Sequence, residues 1–347
     1  MGRRLPLLAR RPDLRGHERD PAQHHRRPCA ATPEGGVTMR FSFTDDQRAF
    51  ADGLRELLAE QCPPSVVRAA WDDHTGHAPE LWAQLDDMGV LSILVAEDGG
   101  GFGGTLVDAV LLFQELGRAA VPGPVLEHMV LAPHLSGTDC AIATAWLGNE
   151  PYVPHASVAD AIVTPNGLLT AYTAEHVESI DGGRRLSTVT GGELHPMSSD
   201  AASLDDRLTL ATAAYLVGVG ERMIEIAGDY ARVREQFGKP IGAFQAVKHL
   251  MADALLDVEF AKAPTYRAAW SLATGQPDSA RDVSMAKVFA NKAAYRASRA
   301  AMQVHGGIGY TWEADLQLFM KKAWALTRAY GDTRTLRRRV SASVLGD

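Results

Sequence analysis

The sequence predicts a mainly α-helical protein with a small β-region in its middle. Three observations carry this. Apolar residues recur at helical spacing up to about residue 135 and again from Leu204 onward. Between residues 141 and 192 the runs become short and rich in Val, Thr and Tyr, broken by Pro-Asn-Gly and Asp-Gly-Gly turns. The chain of 347 residues is 46% hydrophobic and 22% charged, which is globular composition with ample core for one large domain or a few smaller ones.

Residues 1–38 stand apart. They hold eight Arg, no Lys and five Pro, with no apolar period. The twin Arg3-Arg4 is followed by an apolar stretch of only five residues, too short for an export signal. This segment is expected to be a solvated extension, and Met39, where patterned sequence begins, is a candidate true start. A helical domain is expected over 39–138. Asp45–Glu60 places Phe50, Leu54, Leu57 and Leu58 on one face, and Pro63-Pro64 stops that helix. Further helices are expected near Glu80–Met88, Leu106–Arg118 and Val125–Leu135. The glycine run Gly99–Gly104 lacks the Lys-Ser/Thr of a phosphate-binding loop and reads as an irregular crossing between helices. A reduced β-domain is expected over 139–200, with strands at Ala141–Leu147, Ala159–Thr164, Gly167–Tyr172 and Leu186–Thr190. A C-terminal helical bundle is expected over 201–347. Val247, Leu250, Met251, Ala254, Leu255 and Val258 form a broad apolar stripe, and Pro264 should interrupt and kink the helix that carries it.

Charge and composition exclude several classes. The net charge is -7, and with the first 38 residues at +4 (eight Arg against four acids) the remainder carries -11. A nucleic-acid binder needs the opposite sign. The three cysteines, Cys29, Cys62 and Cys140, are too dispersed for a disulfide framework or a zinc ribbon, which fits a reducing cytoplasm. His74 and His77 lack a third ligand and read as surface residues, so no metal site is expected. No run of 18 apolar residues suggests a membrane span.

Four stretches carry a family resemblance. The first runs from Phe43-Thr44-Asp45-Asp46-Gln47 through Leu81–Gly89 to Glu97–Gly104. The second is Glu115-Leu116-Gly117-Arg118 with the Pro-Gly-Pro that follows. The third is Arg234-Glu235-Gln236-Phe237-Gly238-Lys239-Pro240-Ile241 with Phe244-Gln245 and Ala252-Asp253 behind it. The fourth is Gln303-Val304-His305-Gly306-Gly307-Ile308-Gly309-Tyr310-Thr311-Trp312-Glu313. Together they resemble the acyl-CoA dehydrogenase family of flavoproteins over about residues 41–345. The resemblance implies an N-terminal helical domain, a middle β-domain and a C-terminal four-helix bundle. It also implies FAD-dependent α,β-dehydrogenation of an acyl-CoA: a carboxylate takes the α-proton while hydride leaves the β-carbon, and hydrogen bonds stabilise the developing enolate.

In that family the third and fourth stretches reach across a subunit interface to a neighbour's FAD. This implies cofactor contacts for Arg234, Gln236, Phe237, Gln245, Gln303, Gly306 and Gly307. Two departures stand out. Where many members carry a catalytic Glu near the C-terminus, this chain has Gly331, in Tyr330-Gly331-Asp332-Thr333. Where others carry a Glu-Arg pair on the first bundle helix, it has Asp206-Arg207. The resemblance therefore makes Asp206 the candidate base and Arg207 a substrate contact. Asp206 also reads as an ordinary charge at an acidic helix start, and Asp332 is the second candidate carboxylate. The β-region is about half the family's length, lacks one flavin-holding stretch, and has Tyr152-Val153-Pro154-His155 where the other belongs. The expected protein is thus a short dehydrogenase subunit that pairs with a longer paralogue, shares its FAD, passes electrons to an acceptor flavoprotein, and acts on bulky acyl groups that include steroid-derived CoA esters. The alternatives are a non-catalytic subunit completing a partner's site and a self-sufficient homotetramer using Asp206.

Overall fold

The computed structural model describes residues 42–135, 138, 140–147, 151–197 and 200–346. The extension 1–38 lies outside the described residues. Helix α1 (Asp45–Gln61) opens on a capping box in which Thr44 and Gln47 satisfy each other's backbone N–H groups. Leu54 and Leu58 are buried on its inner face. Pro63-Pro64 ends it as expected, but Pro64 also starts a second helix, α2 (Pro64–Asp72), because proline at the first helical position loses no hydrogen bond. Then follow α3 (Pro79–Asp87), α4 (Leu106–Arg118) and α5 (Val125–Leu131), the last running into a 3-10 turn over Ala132–His134. The glycine run before α4 is a crossing, as expected. The amides of Gly103 and Gly104 bond back to the carbonyls of Val95 and Ile93, at 2.7 and 2.9 Å, and so are not free to cradle a phosphate.

The β-region is a five-stranded sheet in the order β1-β3-β4-β5-β2. Its strands are β1 (Ala143–Ala145), β2 (Val153–Pro154), β3 (Ala161–Thr164), β4 (Gly167–Val177) and β5 (Leu186–His195). Only β1 and β3 run parallel. The β4–β5 hairpin is longer than its apolar content suggests, since its outer half is exposed. The two edge strands meet through Thr144 Oγ1, which donates to Pro154 O at 2.7 Å.

From Asp200 the chain is helical apart from one hairpin and short turns. Helix α6 (Ala201–Val233) begins earlier than the acidic Ser203–Asp206 stretch suggests, because the Asp200 side chain accepts from Ala202 N and caps it. Asp206 is therefore in the second turn, not at the start. Residues Leu208–Gly220 are buried on every side, which makes α6 the central helix of the molecule. It packs against α4, α5, α7 (Gln245–Ala273), α8 (Ser279–His305) and α9 (Leu316–Leu326), and α10 (Thr333–Leu345) closes against α8. The interruption expected at Pro264 does not occur: α7 continues through it. Packing against α6 and α8 holds the helix although the Phe260 carbonyl lacks its usual donor. In the α7 stripe Ala254 and Val258 are buried, whereas Leu255 is exposed.

The seam between α5 and the sheet is acid-sensitive. The Ala143 amide donates to His128 Nδ1 at 3.2 Å, so the ring must be neutral there, and burial pushes its pKa down to about 4. Between pH 6.5 and 4 the unfolded chain binds this proton and the folded chain does not, so stability falls as pH drops through that window. The expected loss is about 3 kcal/mol at pH 4. His128→Gln should flatten that part of the pH–stability curve measured by chemical unfolding; an unchanged slope would refute the assignment.

Candidate functional site

Helix α6 ends where the chain must turn sharply. Arg234 leaves helical geometry as its C-cap, and the next residues form a two-strand hairpin, β6 (Glu235–Gln236) with β7 (Lys239–Pro240). The two turn residues, Phe237 and Gly238, both have positive φ, at 53° and 77°, the geometry of a tight hairpin turn. Ile241 N donates to Arg234 O at 2.8 Å and fastens the hairpin base. Phe237 is left 92% exposed at the tip. The Arg234 side chain makes no hydrogen bond or ion pair with any described residue.

The end of α8 meets this hairpin. His305 is its last residue, and its ring stacks on Tyr230 of α6 with centroids 4.4 Å apart and planes at 16°. Gly306 follows with φ 61° and ψ -139°, a region that essentially only glycine occupies. No atom lies within 4 Å of where a Cβ would sit on Gly306 or Gly307, so backbone is presented to open space. Arg234, Gln236, Gly306 and Gly307 converge with Tyr230, His305 and Ile308 on an outward-facing cavity of about 460 Å³. Phe237, Gln245 and Gln303 are exposed nearby but do not line it. A cation, open glycine backbone and a stacked aromatic pair fit the phosphate and nucleotide end of FAD.

The other candidates sit at the opposite end of α6. Residues 207 and 234 are separated by about 40 Å at 1.5 Å per residue. Asp206 is buried, and Arg339 of α10 holds both its oxygens, at 2.5 and 2.9 Å. Asp205, which the sequence did not single out, makes no hydrogen bond or ion pair with any described residue; burial and the Asp206 charge raise its pKa. Asp332 is the N-cap of α10 and accepts from Thr335 N at 2.8 Å, a bond that lowers its pKa. Gly331 has φ 104°, and a Cβ there would press on Leu336 at 2.9 Å, so a Glu at this position would be strained. Arg207 lies close enough to His134 to help lower its pKa, which burial depresses first. His134 lines a cavity of about 560 Å³ between the 3-10 turn after α5, strands β3 and β4 and residues 195–197.

In Tyr152–His155 only Tyr152 is exposed; the other three residues are buried. Val153 and Pro154 form edge strand β2, and His155 is 2% exposed with φ 56°. Burial, then Arg184, Lys322 and His77, hold its pKa well below the usual value. In the loop between β4 and β5 Ile180 is exposed, but Asp181 points inward and makes a buried ion pair with Lys322 at 2.9 Å, and Gly182 fits against the Trp71 ring. His74 is exposed, as a surface histidine should be, and takes part in a 3.1 Å contact with Arg185, whereas His77 is buried against Trp82 and is not a surface residue. Among the described residues no group of three His, Cys, Asp or Glu side chains could hold a metal, and no helix is long and apolar enough to cross a membrane.

Comparison with known proteins gives matches across this frame. The family described as Acyl-CoA dehydrogenase, N-terminal domain, matches residues 44–147, and Acyl-CoA dehydrogenase, C-terminal domain, matches residues 206–345. The acyl-CoA dehydrogenase IpdE2 of Mycolicibacterium smegmatis is 33% identical over 87% of this chain and 100% of its own length. IpdE2 of Mycobacterium tuberculosis is 32% identical over 86% and 98%. Among solved structures, the ChsE4-ChsE5 complex of Mycobacterium tuberculosis superposes with a TM-score of 0.76 at 23% identity, covering 89% of this chain and 100% of that one. A steroid acyl-CoA dehydrogenase variant, Tcur3481-Tcur3483 G363A, gives 0.77 at 19% identity, covering 87% and 98%.

Proposed function

This chain belongs to the acyl-CoA dehydrogenase family, and from that premise we propose that it is the short subunit of an FAD-dependent dehydrogenase completed by a longer paralogue. One observation carries the reading. Arg234, Gln236, Gly306 and Gly307 build a nucleotide cradle that faces outward, with exposed Phe237, Ile308, Tyr310 and Trp312 on the adjoining hairpin and turn, while Val153, Pro154 and His155, in the stretch where the β-region should hold a flavin, are buried. Half a site at a surface with an apolar rim fits a partner that supplies the other half.

FAD would supply the hydride acceptor. Arg234 would pair its phosphates, the Gly306-Gly307 backbone would allow close approach, and the hairpin would seal the rim against the partner. Both Asp206 oxygens are taken up by Arg339, so neither is presented to a thioester α-proton. With Asp332 occupied as a helix cap, this favours a second form of the reading, in which the partner provides the base and this chain is structural. Asp206→Asn with Asp332→Asn should then leave turnover of the complex intact, whereas an active Asp206 predicts loss on the order of 10²-fold or more. The substrate class, by likeness to a relative described as a steroid enzyme, is a bulky steroid-derived CoA ester. The cavity beside His134, with Arg207 nearby, is the candidate for its CoA arm.

The test is flavin stoichiometry. Purified alone, the chain is expected to bind FAD weakly or not at all. Co-expressed with the product of the adjacent gene, it should yield a complex with about one flavin per pair, because each interface offers one complete site. Tight binding at one flavin per lone chain, with acyl-CoA turnover, would sink this reading and favour the homotetramer.

A further inference from the structure

We propose that His305 is a nucleotide-binding residue whose Nε2 accepts a hydrogen bond from a sugar hydroxyl of the ligand held at Arg234. The inference rests on the half-site reading above and assigns a side chain within it that the glycines and Arg234 do not account for.

The argument starts from the other ring nitrogen. Nδ1 lies 2.8 Å from the Ala301 carbonyl, one helical turn back. A carbonyl can only accept, so Nδ1 carries the proton. In the neutral imidazole this tautomer leaves a lone pair on Nε2, and Nε2 makes no hydrogen bond with any described residue. The residue as a whole is 9% exposed, and it lines the outward-facing cavity that also holds Arg234. The ring cannot swing to find a partner elsewhere, because it lies flat on Tyr230 at 4.4 Å. Tyr230 precedes Arg234 by one turn on the same face of α6, so the stacked pair and the guanidinium approach the cavity from one side.

The division of chemistry follows. Phosphate oxygens only accept, and their donors are the Arg234 guanidinium and open backbone N–H groups at the glycine turn. A lone-pair acceptor beside them repels phosphate and selects a hydroxyl. In a flavin dinucleotide the hydroxyls that adjoin the pyrophosphate are those of the ribose on one side and of the ribityl chain on the other. Both present the same chemistry to Nε2, and the test separates them.

The experiment uses the flavin-bearing complex of the full chain, stripped and titrated with FAD, ADP and FMN, with affinity read by flavin fluorescence or competition. His305→Phe keeps the stack on Tyr230 and removes the acceptor. It is expected to weaken FAD about 5- to 10-fold, the worth of one neutral hydrogen bond, with melting temperature held within about 2 °C. His305→Gln restores an acceptor at a similar reach and should recover most of the affinity. An equal loss for ADP with FMN unaffected assigns the ribose; the reverse assigns the ribityl chain. Arg234→Ala is the control for the underlying reading. If Arg234→Ala loses FAD while His305→Phe binds like wild type, the proposal is overturned and the half-site stands. A loss shared in full by His305→Gln also overturns it, since an acceptor restored at that position then contributes nothing. If Arg234→Ala loses nothing, the half-site itself is overturned, and this proposal with it.

Discussion

Gly218→Ala is expected to destabilise the protein by roughly 4 kcal/mol or more, one of the large values that follow from forcing packed backbones apart. A Cβ on Gly218 of α6 would stand 1.9 Å from the Gln114 carbonyl oxygen of α4. The contact is reciprocal: a Cβ on Gly117 of α4 would stand 2.0 Å from the Tyr215 carbonyl. The obstacle is backbone in both cases, so no side-chain rotation relieves it. Around the crossing, Gln114 Nε2 donates to Glu221 at 2.7 Å, Arg118 to Glu225 at 2.6 Å, and Tyr215 Oη to Val121 O at 3.0 Å. Separating the helices strains all three. The melting temperature should fall by about 10 °C or more. Gly228→Ala in the same helix is the contrast. Its Cβ meets only the flexible end of Met251, at 3.4 Å, so removing a helical glycine should add about 0.5–1 kcal/mol. Thermal unfolding of the two variants should move in opposite directions; a Gly218→Ala protein that melts with wild type would disprove the close crossing.

That crossing shows what sequence could and could not convey. Glu115-Leu116-Gly117-Arg118 is recognisable as a family stretch, yet a glycine inside a helix signals only a local cost. Its reason lies about a hundred residues away in Tyr215 and Gly218. The same stretch buries Glu115, which accepts both arms of Arg55 from α1 at 2.6 and 2.9 Å. Some features not named from the sequence are nonetheless decided locally: the capping box of Thr44 and Gln47 and the turn at Phe237-Gly238 each follow from residues within a few positions. Helix α4 has the bounds its apolar period predicts. Features that two distant segments decide were not legible. Pro63-Pro64 reads as a stop, and only packing of Val67 and Trp71 reveals the helix that it starts. Pro264 reads as an interruption, and only the bundle around it keeps α7 whole. Asp206 reads as a base or a cap, and its partner Arg339 is 133 residues on. The stack of His305 on Tyr230 joins the ends of two helices that no period connects.

Arg234→Ala is expected to reduce FAD affinity of the assembled complex by about 10²-fold, the worth of a charge-assisted bidentate pair. The helix ends explain why so much rests on one side chain. The C-termini of α6 and α8 both point at the cavity, and each carries partial negative charge on its free carbonyls. An anionic phosphate is disfavoured there unless a cation offsets that field, and Arg234 is the permanent cation among the lining residues. Arg234→Lys keeps the charge but not the planar fork, so its affinity should fall between the two. Because the site opens to solvent, the difference between wild type and Arg234→Ala should shrink as salt rises. Folding should be untouched: the side chain is exposed and has no partner within the described chain, so far-ultraviolet circular dichroism and melting temperature of the lone subunit should match wild type. The measurement is flavin occupancy after gel filtration of the complex, at low and high salt. Occupancy equal to wild type at both would show that this hairpin does not reach the cofactor, and the cradle would then have to be assigned to another ligand.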